Sequence, residues 1–415
     1  MRTVSRWLLV LCMGGVLISG GVGCANKVEP DYNRALPPGQ WALRKLLSEG
    51  DWPELRTPFQ NGGTALVAAV DKSLGWYALP SSKQFFPMHE VSHRRAQLSV
   101  FAIRTLLDES ITGGDFESAM RRDFDCYTSV GYDDAGTVLY TGYFTPVFKG
   151  SKVRTGVYQF PLYARPAELE SEAGSGRVLG RRVNGVLERF PSRAEIESNG
   201  MLSGTEIVWV QSRLDQYVIQ VNGSAKIELP GGQVMYVGYA GNNGHEYTGL
   251  GATLLAEGVF TPERLSLPAI RSYFADKPGE LERYINMNDR FVFFTEYDGA
   301  NWPAGSLGVQ VTARRSLATD KSVFPRGSVV LVETQAARLG GGAEPFRQLM
   351  LDQDTGGAIR AAGRGDIYMG IGAIAELQAG NQFAEGRLYY FFLKEDRLGA
   401  WEQRMGAGRG GLAVR

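Results

Sequence analysis

The 415-residue sequence predicts a mainly β fold with some helices, organised as two domains. Glycine is abundant at 53 residues, which favours turn-rich β structure over long helices. From about residue 137 onward, short β-branched and aromatic runs recur between glycines and prolines, the pattern of strands joined by tight turns. Helical spacing of apolar residues is confined to a few stretches. So many short strands leave few exposed edges only if they close on themselves, so a barrel is expected. At 44% apolar residues the chain can bury a sizeable core, and its length suits two domains.

The N-terminus, "MRTVSRWLLVLCMGGVLISGGVGCANK", places Arg2 and Arg6 before an apolar run from Trp7 to Ile18. That is a secretory signal over residues 1–23, too short for a spanning helix. "GVGC" has the form of a lipoprotein cleavage box, with Cys24 as the lipidated first residue, although Gly21 stands where leucine is usual. Cleavage removes Cys12, and Cys126 is then the only free thiol, so the exported fold has no internal disulfide. It also removes Arg2 and Arg6, leaving 42 basic against 44 acidic residues, with no basic footprint for nucleic acid. Residues 24–40 are polar and proline-containing, a tether between lipid and fold.

Val91, Leu98, Phe101, Ala102, Leu106 and Leu107 recur at helical spacing and predict a helix from Glu90 to Asp108, with a second, shorter one from Asp115 to Asp123. Strands are expected in "TVLYTGYFTPVF", "TGVYQFPLYA", "TEIVWVQS", "DQYVIQVNGSAKIEL" and "GGQVMYVGYA". Helix returns in "TGLGATLLAEG" and in "LPAIRSYFADKPGELERYINMN", broken at "KPGE". The remainder reads as strands: "RFVFFTEY", "SLGVQVTA", "SVVLVET", "FRQLMLDQD" and "GRLYYFFLKED".

"HEVSH" at His89–His93 matches the zinc-peptidase pattern, in which two histidines one helical turn apart hold the metal and the glutamate is general base. It stands at the very start of the expected helix, just after Pro87, and no nearby third ligand completes it; Glu117 is the candidate and His245 is far along the chain. The preferred reading is a helix N-terminus, with no metal and no cofactor.

A different pattern occupies "LDQDTGGAIRAAGRGDIY", residues 351–368. A strand delivers Asp354, Gly356 and Gly357 are expected to turn the chain at positions only glycine takes without strain, and Asp366 follows after more glycine. A carboxyl in a crowded, partly apolar groove has its pKa raised and can act as a general acid near neutral pH. These aspartates can equally cap turns by bonding backbone amides. Asp352 reads as a polar strand residue.

These blocks carry a family resemblance. "DTGGAI…GRGDIYMGIG", preceded by "RRSLATDKSVFPRGSVVLVET", resembles the three-aspartate domain of bacterial cell-wall proteins, with Asp320, Asp354 and Asp366 as its aspartates. "LYTGYFTPVFKGSKVRTGVYQFPLYARP", "PSRAEIE" and "VGYAGNNGHEYTGLGATLLAEG" are similar to the membrane-bound lytic murein transglycosylase A family. The resemblance runs from about residue 90 to 395. It implies a double-psi β-barrel domain (41–145 plus 285–400, with N-terminal helices), a smaller inserted β-barrel domain (146–284), a groove between them, and a tail at 401–415.

The resemblance further implies cleavage of the β-1,4 bond between N-acetylmuramic acid and N-acetylglucosamine of peptidoglycan, without water. Asp366 would be the catalytic acid and then the base, and Asp354 its support. Thr141, Gly142 and Tyr143 in "YTGYFTP" would bind the glycan, aromatic faces packing on sugar C–H surfaces. Asn222, Gly223 and Ser224 align with a family loop that usually reads Gln-Gly-Ser-Gly, and would also bind. His245 matches a family position and reads as structural. Two positions depart from the family: Cys126 stands where proline is usual, and "VQVTARRSLATD" lacks the usual Pro-Gly before the arginine. The expected location is the periplasmic face of the outer membrane, anchored through Cys24. Cell-wall synthesis and division proteins are candidate partners. The competing readings are a non-catalytic peptidoglycan-binding lipoprotein, a hydrolase producing reducing ends, and the zinc peptidase.

Overall fold

Two rings of strands organise the chain, whose computed structural model describes residues 30–172, 176–261, 264–338 and 342–412. The signal segment and Cys24 lie outside the described residues. No helix among the described residues is long and apolar enough to cross a membrane.

The first ring joins six strands: Val138–Thr145, Phe383–Leu393, Val329–Ala337, Ala343–Asp354, Ser316–Ala318 and Arg364–Ile371, the last pairing back onto Val138–Thr145. Closure satisfies every strand's neighbours and removes the edges. Phe124–Ser129 and Leu43–Lys45 extend it on one side. Its interior and outer wall merge into one large core with helices Gly63–Ala78 and His93–Glu109. The second ring orders Val292–Tyr297, Val234–Asn242, Ser224–Glu228, Val147–Ser151, Glu206–Val210 and Phe160–Tyr163, closed by a bridge between Ala164 and Phe294. Its own core includes Leu162, Val208, Ile227, Val237 and Phe294. The fold is thus mainly β with helices, in two barrel domains as expected. Pro146 alone separates the first ring's Val138–Thr145 strand from the second ring's Val147–Ser151 strand. The second ring keeps the chain until Tyr297, so an insert boundary at 284 cuts away one of its strands.

Several expectations change. "DQYVIQV" is not strand: helix Arg213–Asn222 starts at the Ser212 cap and stops at left-handed Gly223. Leu214, Tyr217 and Val218 pack into a helical cluster while Ile219 packs into the barrel, so burial on two sides erases the helical period. "SLGVQVTA" is a turn, with Gly308 N–H donating to Gly305 O and φ of 72° at Gly308. The tether's described end is packed: the Tyr32 hydroxyl donates to Glu385 at 2.8 Å and Leu36 lies on the core. The described part of the expected tail, residues 401–412, lies within helix Leu398–Leu412, where Trp401 is buried.

Candidate active site

Register alone brings the two motif aspartates together. Ala318 pairs with Asp354 on one side and Asp366 on the other, so both carboxylates flank one short strand at the same level. A register shift between Leu317 and Ala318 sets that level. On its far side Asp366 pairs with Thr141, Ile367 with Gly142 and Tyr368 with Tyr143.

The two carboxylates have different surroundings. Asp354 accepts from the Tyr143 hydroxyl at 2.8 Å and from the Ser306 and Thr355 N–H groups, each at 2.8 Å. Burial raises its pKa, opposed by these three donors and by Lys321. Asp366 is half-buried, and its Oδ1 is shut from solvent without a hydrogen-bond partner among the described residues. Burial pushes its pKa up to about 6; the nearby Arg364 opposes the rise and the Asp354 charge adds to it.

The glycines act here by absence of bulk. Gly356 and Gly357 do not adopt positive φ, contrary to expectation; the left-handed residue in this stretch is Ala361, at 59°. A Cβ on Gly305 would lie 2.7 Å from Gln353 O and 3.2 Å from the Asp354 carboxyl carbon, so glycine lets the Ser306 N–H reach Asp354. At Gly363 a Cβ would meet Tyr32 O at 2.6 Å.

Asp320, the third motif aspartate, is structural. It accepts from Ser322 N–H and Oγ and from Ala361 N–H at 2.8 Å, holding the loop that enters the Asp366 strand. Asp352 is more than a polar strand residue: fully buried in the barrel, it pairs with Lys321 and accepts from Tyr390 and Thr319 hydroxyls.

Of the expected glycan-binding residues, Thr141 and Tyr143 lie beside the aspartates. Thr141 Oγ1 accepts from Arg364 at 3.2 Å. Gly142 is packed against the helix Ala373–Gly380, where a Cβ would come within 2.8 Å of Ala379 Cα. Asn222 Nδ2 donates to Val218 O of its own helix at 2.9 Å, Gly223 caps that helix, and Ser224 begins the next strand opposite Gly238. Lys226, two residues beyond that loop, donates its N–H to Pro146 O at 2.9 Å and ties the loop to the single-residue junction between the two rings.

Because the Tyr143 hydroxyl is bonded to Asp354, Tyr143→Phe is expected to lower kcat roughly 10-fold or more, as hydrogen bonds to charged groups are worth about 1.5–3 kcal/mol. Steady-state kinetics check this: KM stays near wild type if the hydroxyl serves Asp354, and rises with kcat intact if it serves the sugar.

"HEVSH" does not make a metal site. His89 has φ of 48° and precedes the helix, stacking on Trp41 with ring centroids 5.2 Å apart. His93 is the first helical residue, its Nε2 2.7 Å from Ser82 Oγ, while Glu90 accepts from the Tyr127 hydroxyl. With Ser92 as N-cap, the two histidines are not one turn apart on a helix. Among the described residues no group of three or more His, Cys, Asp or Glu could hold a metal ion. His245 is buried, with Nε2 at 2.7 Å from Phe190 O and Nδ1 at 3.1 Å from Arg189.

Tyr247, Arg290, Arg364 and the Ser306 amide were not foreseen. The first two come from the inserted domain and face Gly357 just after Asp354, a pairing of distant segments with no local signal.

Residues 139–295 match the MltA specific insert domain, and residues 315–392 match the 3D domain. The membrane-bound lytic murein transglycosylase A of Escherichia coli K12 is 31% identical over 281 residues, covering 67% of this chain and 72% of that protein. The chain belongs to the membrane-bound lytic murein transglycosylase A family. It is a lytic transglycosylase, and its activity is on peptidoglycan. The Vibrio cholerae member is 30% identical over 265 residues, covering 62% of this chain and 66% of its own. The fold agrees with the solved membrane-bound lytic murein transglycosylase of Agrobacterium tumefaciens, at TM-score 0.69, 23% identity, and 86% and 99% coverage of the two chains. It agrees also with E. coli MltA bearing chitohexaose, at TM-score 0.62, 24% identity, and 87% and 96% coverage.

Proposed function

We propose that Asp366 is the single acid/base of this transglycosylase and that its products carry 1,6-anhydromuramic acid. The observation that carries this is the contrast within the carboxylate pair: Asp354 has three donors for its anion, whereas Asp366 Oδ1 is buried with none among the described residues. The shared proton therefore belongs to Asp366.

Asp366 gives its proton to the glycosidic oxygen as the bond from muramic C1 breaks. The Asp366 carboxylate then takes the proton of the same sugar's C6 hydroxyl while O6 bonds to C1. The acid is regenerated and no water is consumed. An intramolecular nucleophile needs no second carboxylate to activate it, unlike ordinary glycoside hydrolysis. Asp354 stays anionic, raises the Asp366 pKa and balances positive charge developing at C1. Thr141 and Tyr143 flank the scissile sugar, and Asn222, Gly223 and Ser224 would contact the same strand. A lipid on Cys24 would hold the enzyme at the periplasmic face of the outer membrane, where cell-wall synthesis and division proteins would be its partners.

The test is mass spectrometry of products released from purified peptidoglycan by residues 25–415, with Asp366→Asn as control. Anhydro ends from wild type and none from the variant are expected. Reducing ends would replace the mechanism by hydrolysis, and binding without release would leave a glycan-binding lipoprotein.

The pH profile follows from the same pair. Asp366 must be protonated and Asp354 ionised, so kcat/KM is bell-shaped. Its alkaline limb is expected near pH 6, falling tenfold per unit above it. The acid limb belongs to Asp354, whose burial shifts it upward from the ordinary aspartate value. A profile flat from pH 5 to 8 would rule out this assignment.

A further inference from the structure

We infer that Arg290, with Arg360 at its rim, forms a carboxylate-binding subsite that selects the acidic substituent of N-acetylmuramic acid in the groove. This rests on the glycan being cleaved at Asp366.

Arg290 lies two residues before the Val292–Tyr297 strand of the inserted domain's barrel and is half-buried. Its backbone is fixed: its N–H donates to Asn288 Oδ1 at 3.3 Å, and its carbonyl accepts from the buried Arg193 guanidinium at 2.5 Å. Arg193 also donates to Asn288 O at 2.9 Å, so one buried arginine clamps both sides of the turn. The Arg290 side chain is aimed by a contact of Nη1 with His245 O at 3.3 Å. From there its guanidinium reaches across to the catalytic barrel. The Nε lies 3.7 Å and Cζ 3.8 Å from where a Cβ on Gly357 would stand, three residues past Asp354. Tyr247 flanks it there, its Cβ 3.6 Å from the same point, so both groups lie beside the segment that follows Asp354.

No carboxylate among the described residues forms an ion pair with Arg290. Glu246 acts on it only as a nearby charge, and exposed Arg360 adds positive charge to the same place. Burial and Arg360 together lower its pKa, while Tyr239, Glu246 and Tyr247 oppose the fall. A half-desolvated guanidinium with spare donors and a second cation beside it is a standing demand for an anion. Peptidoglycan differs from a neutral N-acetylglucosamine polymer by carboxylates: those of the stem peptide, or the lactyl carboxylate where the peptide has been removed. Either would satisfy the fork, and neither exists on the neutral polymer.

The experiment measures binding in the Asp366→Asn background by titration calorimetry, so it does not depend on turnover. Three soluble ligands are used: peptide-bearing muramyl oligosaccharides, the same strands stripped of peptide, and the neutral N-acetylglucosamine hexamer. Arg290→Gln is expected to weaken one or both muramyl ligands about 10-fold, the scale of one charge-assisted hydrogen bond, and to leave the hexamer unchanged. Arg290→Lys recovers part of the loss, and Arg360→Gln gives a smaller loss of the same pattern. Weakening confined to peptide-bearing strands assigns the stem peptide; weakening confined to stripped strands assigns the lactyl group. Equal weakening of all three ligands, or no change in either muramyl ligand, overturns the subsite. Should the wild type release no anhydro product while this pattern holds, the reaction assignment fails and the subsite stands.

Discussion

Asp366→Asn is expected to lose activity by at least about 100-fold and to melt at a higher temperature than wild type at pH 7.5. The two effects have one cause. Burial, with no partner for Oδ1 among the described residues, holds the carboxyl pKa near 6 in the folded protein, against 3.8 for an ordinary aspartate. Between those values the folded state keeps a proton that the unfolded state has released. Stability is therefore lost as pH rises from about 4 through 6, and the deficit is constant above about 7. A shift of this size corresponds to about 1–3 kcal/mol. Asparagine cannot ionise, so it avoids the deficit while keeping the shape. Below pH 4 the aspartate is neutral in both states and the difference vanishes. Thermal melts of both proteins at pH 4 and 7.5 separate this account from simple repacking: equal offsets at the two pH values would refute it. The acid is thus maintained at the expense of stability, which is how a strained functional group differs from a turn-capping aspartate such as Asp320.

What the sequence made legible, and what it did not, divides along physical lines. Strands buried on one or both faces, such as Val329–Ala337 and Phe383–Leu393, announce themselves by β-branched and aromatic runs. The site aspartates were legible through motif resemblance, and the register of Ala318 with both explains why their spacing matters. The helix Gly63–Ala78 escaped notice because its sequence is rich in small residues and glycine, with weak amphipathic contrast and no side-chain cap. Arg213–Asn222 escaped because two cores claim its opposite faces. Gly356 and Gly357 do stand in a turn, Ile359 N–H donating to Gly356 O at 3.1 Å, but without left-handed backbone; the close approach that excludes a side chain occurs at Gly305 and Gly363. Such approaches join segments far apart in the chain, as do Arg290 and Gly357, and local sequence carries no trace of them.

Lys321→Met is expected to destabilise the fold by about 3–5 kcal/mol, and the double variant Lys321→Met/Asp352→Asn to recover much of that loss. Along the Ala343–Asp354 strand, alternation sends Gln353 toward the helix Gly63–Ala78, where its Nε2 donates to Ala69 O and Ser73 Oγ. Asp352 therefore points with Asp354 toward the other side, one step deeper. There it is fully buried and meets Lys321, which is 5% exposed. Thr319 and Tyr390 hydroxyls complete its hydrogen bonds, at 3.0 and 2.9 Å from Thr319 and 2.7 Å from Tyr390. Removing the lysine leaves a carboxylate in the barrel with only neutral donors, the situation in which breaking a buried pair is most damaging. Asparagine at 352 still accepts from Thr319 and Tyr390 but carries no charge, so the second substitution removes the penalty left by the first. Urea unfolding of wild type, both single variants and the double variant gives the coupling directly. Additive losses would show that the pair is dispensable and that packing alone carries the effect. The pair also bears on catalysis: Thr319 N–H donates to Asp354 O at 3.1 Å, and the Lys321 charge opposes the rise of the Asp354 pKa. The acid limb of kcat/KM in the double variant should accordingly move to higher pH, since Asp354 then binds its proton more readily while Asp366 keeps its own unpartnered oxygen.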